Sequence, residues 1–373
     1  MGDRGSFTVV GEGWISARSR GGETGIAVGP RCAVTENGQV LCTFMVQSNL
    51  GMNDFVPMQA VSPDGGATWE EAAPIWPRLA RNFSIFCSIS RARSGELLLY
   101  GTRTPIDTPG ESFWCEATQG LKANDLIWAR SLDGGCDWTE PAVIPMPIPG
   151  AAEAPGPMCV TSTGRSLVCY APYNTFDSSL AVDRNQVVLL SSGDERRSWR
   201  HTIMFRFAEA DSGGAEAWVI ELSDGRLLGA CWQVGYGDGQ EYSTPYALSA
   251  DGGSTWTPVL RTGIRGQSTG LSALPDGRAL LVYNQRKHGE PGVWLAVARP
   301  SEFSFGVETN QIVWRAEQTT RHDSSAEHIE WKDFAFGEPS ATVLPDGAIL
   351  IALWCVQPSG QGIRYVKLRW EEA

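Results

Sequence analysis

Ser62-Pro63-Asp64-Gly65-Gly66-Ala67-Thr68-Trp69 reads Ser-x-Asp-x-Gly-x-Thr-Trp, and the chain repeats it. Ser131-Leu132-Asp133-Gly134-Gly135-Cys136-Asp137-Trp138 is a second copy, and Ser249-Ala250-Asp251-Gly252-Gly253-Ser254-Thr255-Trp256 is a third. Ser191-Ser192-Gly193-Asp194-Glu195-Arg196-Arg197-Ser198-Trp199 reads as a worn fourth, with one residue inserted. One short turn returning about every sixty residues marks an array of similar units. Asp-Gly suits a tight hairpin, in which both central residues take positive φ. The carboxylate can accept backbone N–H bonds and close the turn on itself. The Trp is a large apolar anchor for packing between units. Each copy is therefore expected to join two strands of one sheet, as a structural part and not a catalytic one.

The same punctuation marks six hairpins. Asn37-Gly38, Ser94-Gly95, Thr163-Gly164, Asp224-Gly225, Asp276-Gly277 and Asp346-Gly347 each fall between two apolar, strand-like runs. Phe7-Thr8-Val9-Val10 and Trp14-Ile15-Ser16 read as strand, as does the alternating run 363–370. Segment 315–333 is polar and is expected as a loop or a short helix.

Composition narrows the class. A length of 373 residues would suggest two or three ordinary domains, but an array of sheets grows by adding units. The net charge of −12 argues against nucleic acid or an anionic membrane as partner, although a local Arg cluster can hold an anion. No apolar run is long enough for a transmembrane helix. Residues 1–6 lack an apolar signal segment, so the cytoplasm is expected unless a leader was trimmed. The nine Cys contain no Cys-x-x-Cys pair, and the four His show no metal-ligand spacing. Neither metal nor cofactor is expected. Cys32 with Cys42, and Cys159 with Cys169, lie on consecutive strands, but buried reduced thiols are the expectation.

The repeated turn resembles the Asp-box of the sialidase (bacterial neuraminidase) superfamily. The resemblance spans nearly the whole chain and implies an all-β, six-bladed β-propeller. Residues 1–373 then form one domain, and the N-terminal strand completes the last blade. Blades five and six lack a recognisable box; Ser301-Glu302-Phe303-Ser304-Phe305 stands as a blade-five remnant.

In such a propeller the first strand of each blade lines the axis, and the residues just ahead of those strands converge on a cup. Here they are Arg31, Arg81, Glu153, Glu216, Gln267-Ser268 and Glu338. The resemblance implies roles for several. Arg31, in Gly29-Pro30-Arg31-Cys32-Ala33, stands where the family holds a substrate carboxylate. Asp54 is the only acid of loop 47–55, which corresponds to the loop of the acid/base Asp. Glu216 precedes Glu221-Leu222-Ser223-Asp224-Gly225-Arg226-Leu227-Leu228, as does the Glu that assists the nucleophile. Arg286 matches a further Arg. The nucleophilic Tyr has no counterpart in 334–340, nor has one Arg in Gly229-Ala230-Cys231-Trp232-Gln233.

What remains is a set of carboxylates. Glycoside hydrolysis needs two, one to protonate the leaving oxygen and one to attack or to activate water. Like charges in proximity keep one of them protonated. The expected function is exo-acting hydrolysis of a terminal sugar that need not be sialic acid. Glu216 and Glu338 form the expected pair, Glu153 is the alternative partner, and Asp54 is a further candidate. Arg31, Arg81, Gln267, Arg286 and Trp232 are the expected substrate contacts. Trp114, Trp218 and Trp294 can also stack on sugar faces, and loops 110–116, 236–242 and 284–288 can overhang the cup. A non-catalytic carbohydrate-binding or interaction propeller is the alternative, and a scaffold propeller ranks last. The expected partner is a carbohydrate; the sequence names neither the sugar nor an oligomeric state.

Overall fold

A computed structural model describes residues 5–19, 24–236, 240–321 and 331–372. Six antiparallel sheets follow one another around a ring, each contributing its first strand to the axis. These inner strands are Ile26–Val34, Phe83–Arg91, the interrupted pair Ala151–Glu153 and Cys159–Val160, Ser212–Glu221, Gln267–Ala273 and Phe336–Val343. Blade six takes its outermost strand, Gly5–Arg18, from the N-terminal end, paired antiparallel with Gly360–Glu372. Among the described residues the helical content is two three-residue 3-10 turns, Leu79–Arg81 and Trp331–Asp333. The second falls in the polar segment 315–333, of which 322–330 lie outside the described residues, as do residues 237–239 of loop 236–242. No helix among the described residues is long and apolar enough to cross a membrane.

Every box joins the third and fourth strands of its blade, at the end away from the cup. Box one shows the chemistry. Ser62 Oγ donates to Asp64 Oδ1 (2.8 Å) and accepts from Gly66 N (2.7 Å), while Asp64 accepts from Thr68 N (2.8 Å) and Thr68 Oγ1 (2.6 Å). Thr68 above all, with Ser62 and Ala67, lowers the Asp64 carboxyl to about 2. Positive φ falls on the two residues after the Asp and not on the Asp itself: Gly65 (69°) and Gly66 (90°) in box one. The worn copy has no insertion. Ser192 is its box Ser, donating to Asp194 Oδ1 (2.7 Å) and accepting from Arg196 N (3.0 Å). Its positive φ values are carried by Glu195 (59°) and Arg196 (68°). Blade five keeps the turn without the acid, closed by Ser304 N donating to Ser301 Oγ (3.1 Å). Blade six has no such turn because its fourth strand arrives from the other end of the chain.

The boxes also fasten blade to blade. Blade six donates into box one through Tyr365 Oη to Ala67 O (3.1 Å) and Lys367 Nζ to Gly65 O (3.1 Å). Gln59 of blade one donates to Gly135 O (3.1 Å), and Thr202 of blade three to Gly253 O (2.8 Å). In the worn box, Arg196 pairs with Glu96 of blade two (2.7 Å) and lies over Trp128. Arg196 is thus fixed by its partners, whereas Glu195 is exposed and pairs with the exposed Arg197 (2.9 Å). A left-handed non-Gly residue costs roughly 1–2 kcal/mol. Glu195→Gly is therefore expected to stabilise the chain by about 0.5–1 kcal/mol after the extra unfolded-state entropy of Gly is subtracted, read as a raised urea midpoint.

All nine cysteines are free thiols. Cys32 stands opposite Cys42, but Cys159 stands opposite Leu167 and Cys169 opposite Leu189, so the second conceivable pair does not face itself. Burial alone pushes the Cys87 thiol up to about 12.

Candidate active site

Four inner strands carry a bulge at the same place. It falls between Val28 and Arg31, Ala215 and Trp218, Gln267 and Thr269, and Gly337 and Ser340. One residue in each bulge is left-handed: Gly29 (φ 64°), Glu216 (50°), Ser268 (52°) and Glu338 (45°). Bulges re-aim a side chain, and here Glu216, Ser268 and Glu338 line the cavity. Such backbone outside Gly costs of order 1–3 kcal/mol per residue and persists only where the surroundings over-determine it.

Those surroundings are hydrogen bonds from the next blade. Glu216 N donates to Glu153 Oε2 (2.9 Å), Ser268 Oγ donates to Glu216 Oε1 (2.7 Å), and Gly29 N donates to Glu338 Oε2 (3.0 Å). Each carboxyl is thus held by one oxygen. Glu216 Oε2 has no partner among the described residues. Asn124, bonded twice to the backbone of Ala152 (2.8 and 2.9 Å), pins the strand that delivers Glu153.

Electrostatics separates the three acids. Burial and then the Glu338 charge push Glu216 up to about 7. Burial and then the Glu216 charge hold Glu153 well above the carboxylate range. Burial raises Glu338 too, but the Arg31 charge and the Gly29 N–H oppose it. Glu338 is therefore the acid with most support for its ionised form, and Glu216 can carry a proton near neutrality.

The three carboxyls line one cavity of about 400 Å³, together with Arg286 and Trp232. Arg31 is 2 % exposed and lies beneath this floor. It donates to Pro30 O (2.9 Å) and Glu338 O (3.0 Å), with its guanidinium over Trp218 (5.0 Å). Trp218 is accordingly a core residue, and Trp294 lies outside the cup in an outer pocket. Gln267 is buried behind Arg286 and accepts from its Nη1 (2.9 Å). Four expected residues do not line the cavity: besides Arg31 and Gln267, Asp54 and Arg81 lie away from it. Asp54 closes its own loop, accepting from Ser48 N and Ser48 Oγ (2.5 Å). Arg81 is exposed in its 3-10 turn, ahead of a strand without a bulge to aim it inward.

One wall is the expected overhang of loop 110–116. The hairpin Trp114–Cys115 with Gly120–Leu121 overhangs the cup, and Phe113 stacks on Trp331 (5.4 Å) and packs on Phe55 (5.5 Å). Gln47 and Asn53 also line the cavity. The aromatic-rich stretch 110–116 signals the overhang; nothing in the pattern of loop 47–55 separates Asn53 from Asp54. Among the described residues no group of His, Cys, Asp or Glu is arranged to hold a metal ion.

Residues 113–351 match the BNR repeat-like domain, and the chain belongs to that family. The architecture is that of the sialidase-like propellers. A protein of unknown function from Dyadobacter fermentans is similar over 98% of this chain and 99% of its own, at 20% identity and a TM-score of 0.74. The NanB sialidase from Streptococcus pneumoniae is similar over 95% of this chain and 70% of its own, at 15% identity and a TM-score of 0.62. An alpha-L-arabinanase from Penicillium chrysogenum, complexed with arabinobiose, is similar over 96% and 98%, at 15% identity and a TM-score of 0.62. Identities this low carry the fold alone. No curated protein sequence matches the chain.

Proposed function

We propose that this chain is a glycoside hydrolase acting on a terminal sugar, with Glu216 as general acid and Glu338 as its ionised partner. The observation that carries this reading is Glu216, a buried carboxyl that lines the cavity beside Glu338 and holds its proton up to about 7. Its proton passes to the glycosidic oxygen as the C–O bond breaks. Glu338 either attacks the anomeric carbon or takes a proton from the water that does. Glu153 stays neutral and steadies Glu216 through its backbone N–H. The arabinanase and sialidase similarities agree with a carbohydrate substrate.

A screen of aryl glycosides, the sialoside included, on wild type and Glu216→Gln tests the reading. Release from one sugar, lost in the variant, supports it. Sugar binding with silence on every glycoside favours instead a non-catalytic binding propeller, as the missing Tyr of strand Phe336–Val343 does.

The pH dependence follows from the same assignment. Glu216 must be protonated to act, so kcat/KM is expected to fall with a slope of about −1 as pH rises through about 7. The acid limb reports protonation of Glu338. A profile flat from about pH 6 to about pH 9 sinks the assignment of Glu216 as the acid.

A further inference from the structure

Each acid of the cup is held by the blade that follows it in the ring, but not by the same kind of group. Glu153 Oε2 accepts from Glu216 N (2.9 Å), and Glu338 Oε2 accepts from Gly29 N (3.0 Å). Glu216 Oε1 accepts instead from a side chain, Ser268 Oγ (2.7 Å). A backbone N–H can only donate, so it favours an oxygen without a proton. A hydroxyl donates or accepts as it turns, so it can stay bonded to one oxygen whether or not that oxygen carries a proton. Glu216 Oε2 is shut off from solvent and has no partner among the described residues. Oε1, beside the hydroxyl, is therefore the oxygen left to pass a proton to a ligand.

The backbone at Ser268 is strained. Its φ of 52° lies in the left-handed region that favours Gly, and blade one makes the corresponding turn with Gly29 (φ 64°). Strain of this kind outside Gly points to a function for the side chain that comes with it. Ser268 is buried and lines the cavity. Glu216 does not need that side chain to keep its own backbone in place, because Glu216 N is bonded to Glu153 and Glu216 O accepts from Thr269 Oγ1 (3.5 Å). The charged and titratable groups around Glu216 are Arg31 of blade one, Glu153 and Tyr173 of blade three, Arg286 of blade five and Glu338 of blade six. Among the described residues only Ser268 bonds its carboxyl.

We infer that Ser268 is a positioning residue for the acid: its hydroxyl donates to Glu216 Oε1 while that carboxyl is ionised and turns to accept when Oε1 holds the proton. Glu216 thus keeps one orientation through the loss and recovery of its proton. This rests on the reading of Glu216 as the general acid. The catalytic proton goes from Glu216 to the glycosidic oxygen and is regained from water, whereas the hydroxyl proton stays on Ser268 throughout. Without the hydroxyl, the ionised carboxyl loses its donor and its fixed orientation, so the proton is held more tightly and handed over less readily.

The test uses the full chain with Ser268→Ala and with Ser268→Gly. Ala removes the hydroxyl and keeps the backbone strain; Gly removes both. The titration of Glu216 is followed by carboxyl NMR with isotope-labelled glutamate, its signal assigned from Glu216→Gln. The midpoint is expected to rise by about one pH unit in both variants, since the ionised form has lost a charge-assisted hydrogen bond. On the glycoside that wild type hydrolyses best, kcat is expected to fall about tenfold in both, with KM unchanged and the alkaline limb of kcat/KM moved up by the same amount as the midpoint. A merely structural Ser would leave the Gly variant like wild type, because Gly makes the turn more easily. Should the Ala variant fail to fold, Gly alone reads the hydroxyl. A midpoint unmoved in the Gly variant overturns the inference. The two readings fail separately. A raised midpoint with no glycoside hydrolysed keeps the hold of Ser268 on Glu216 and removes the hydrolytic assignment; hydrolysis that is lost in Glu216→Gln but indifferent to Ser268→Gly does the reverse.

Discussion

Glu216→Gln is expected to lower kcat/KM on a glycoside with an alkyl-alcohol leaving group by about 10²–10⁴-fold. The substitution keeps the shape, and its amide oxygen can still accept from Ser268 Oγ, so the loss isolates the proton. The leaving group decides how large the loss is. An alkoxide leaves poorly and needs the proton; a dinitrophenolate leaves well and hardly needs it. The deficit is therefore expected to shrink steeply along an aryl series as the leaving-group pKa falls. A deficit that is the same for every leaving group would mean that Glu216 does not act as the acid. The same change should stabilise the fold at alkaline pH. The folded-state value near 7 stands above the ordinary 4.5, so the contribution of this proton is complete below about 4.5 and is lost as pH rises through about 7. Gln carries no such penalty, and the variant should gain up to about 2 kcal/mol over wild type near pH 8.

Arg31→Met is expected to cost roughly 3–5 kcal/mol of stability at about pH 8, with a smaller cost at about pH 5. Burial lowers the Arg31 pKa, and the charges of Glu338, Glu216 and Glu153 raise it again. Without the guanidinium, Pro30 O and Glu338 O lose their donor, and the acids face one another with no cation beneath them. Their folded-state values then move further above the unfolded ones. The sign follows: the deficit grows as pH rises and the acids ionise, and it shrinks where they are neutral. Urea unfolding at the two pH values reads the gap. A gap independent of pH would show that Arg31 works by packing on Trp218 alone.

The fold was legible because it is written four times. Ser, Asp, Gly and Trp at fixed offsets specify a turn whose bonds are local, so the pattern survives as far as Ser301 in blade five, where the acid is gone. The worn copy was misaligned by one residue because Ser191 and Ser192 are indistinguishable by type; only the bond to Asp194 tells them apart. The carboxyls of the cup were legible by register, since Glu153, Glu216 and Glu338 recur at matching places in their blades, although the structure puts them within the inner strands rather than ahead of them. Register could not show that a bulge aims Glu216 and Glu338. Blade two lacks that bulge, and Arg81 stays outside. Arg31 was legible as an inward residue, but whether a guanidinium faces a ligand or a carbonyl depends on Glu338, some three hundred residues away along the chain. Asn53 and Asp54 differ by one atom group and one step in a loop, and nothing local says which of them turns inward.

The pairing of Gly5–Arg18 with Gly360–Glu372 has a consequence for biosynthesis. Strand Gly5–Arg18 is made before blades one to five, and its partner Gly360–Glu372 only after them. Until then it is a free edge bearing Val9 and Val10, which remain half-exposed even when paired. Five blades can assemble in order as they emerge, but Gly29 N–H cannot reach Glu338 until blade six exists. The cup is therefore completed only once blade six has been made, and a chain arrested before Phe336 has every box and no finished site.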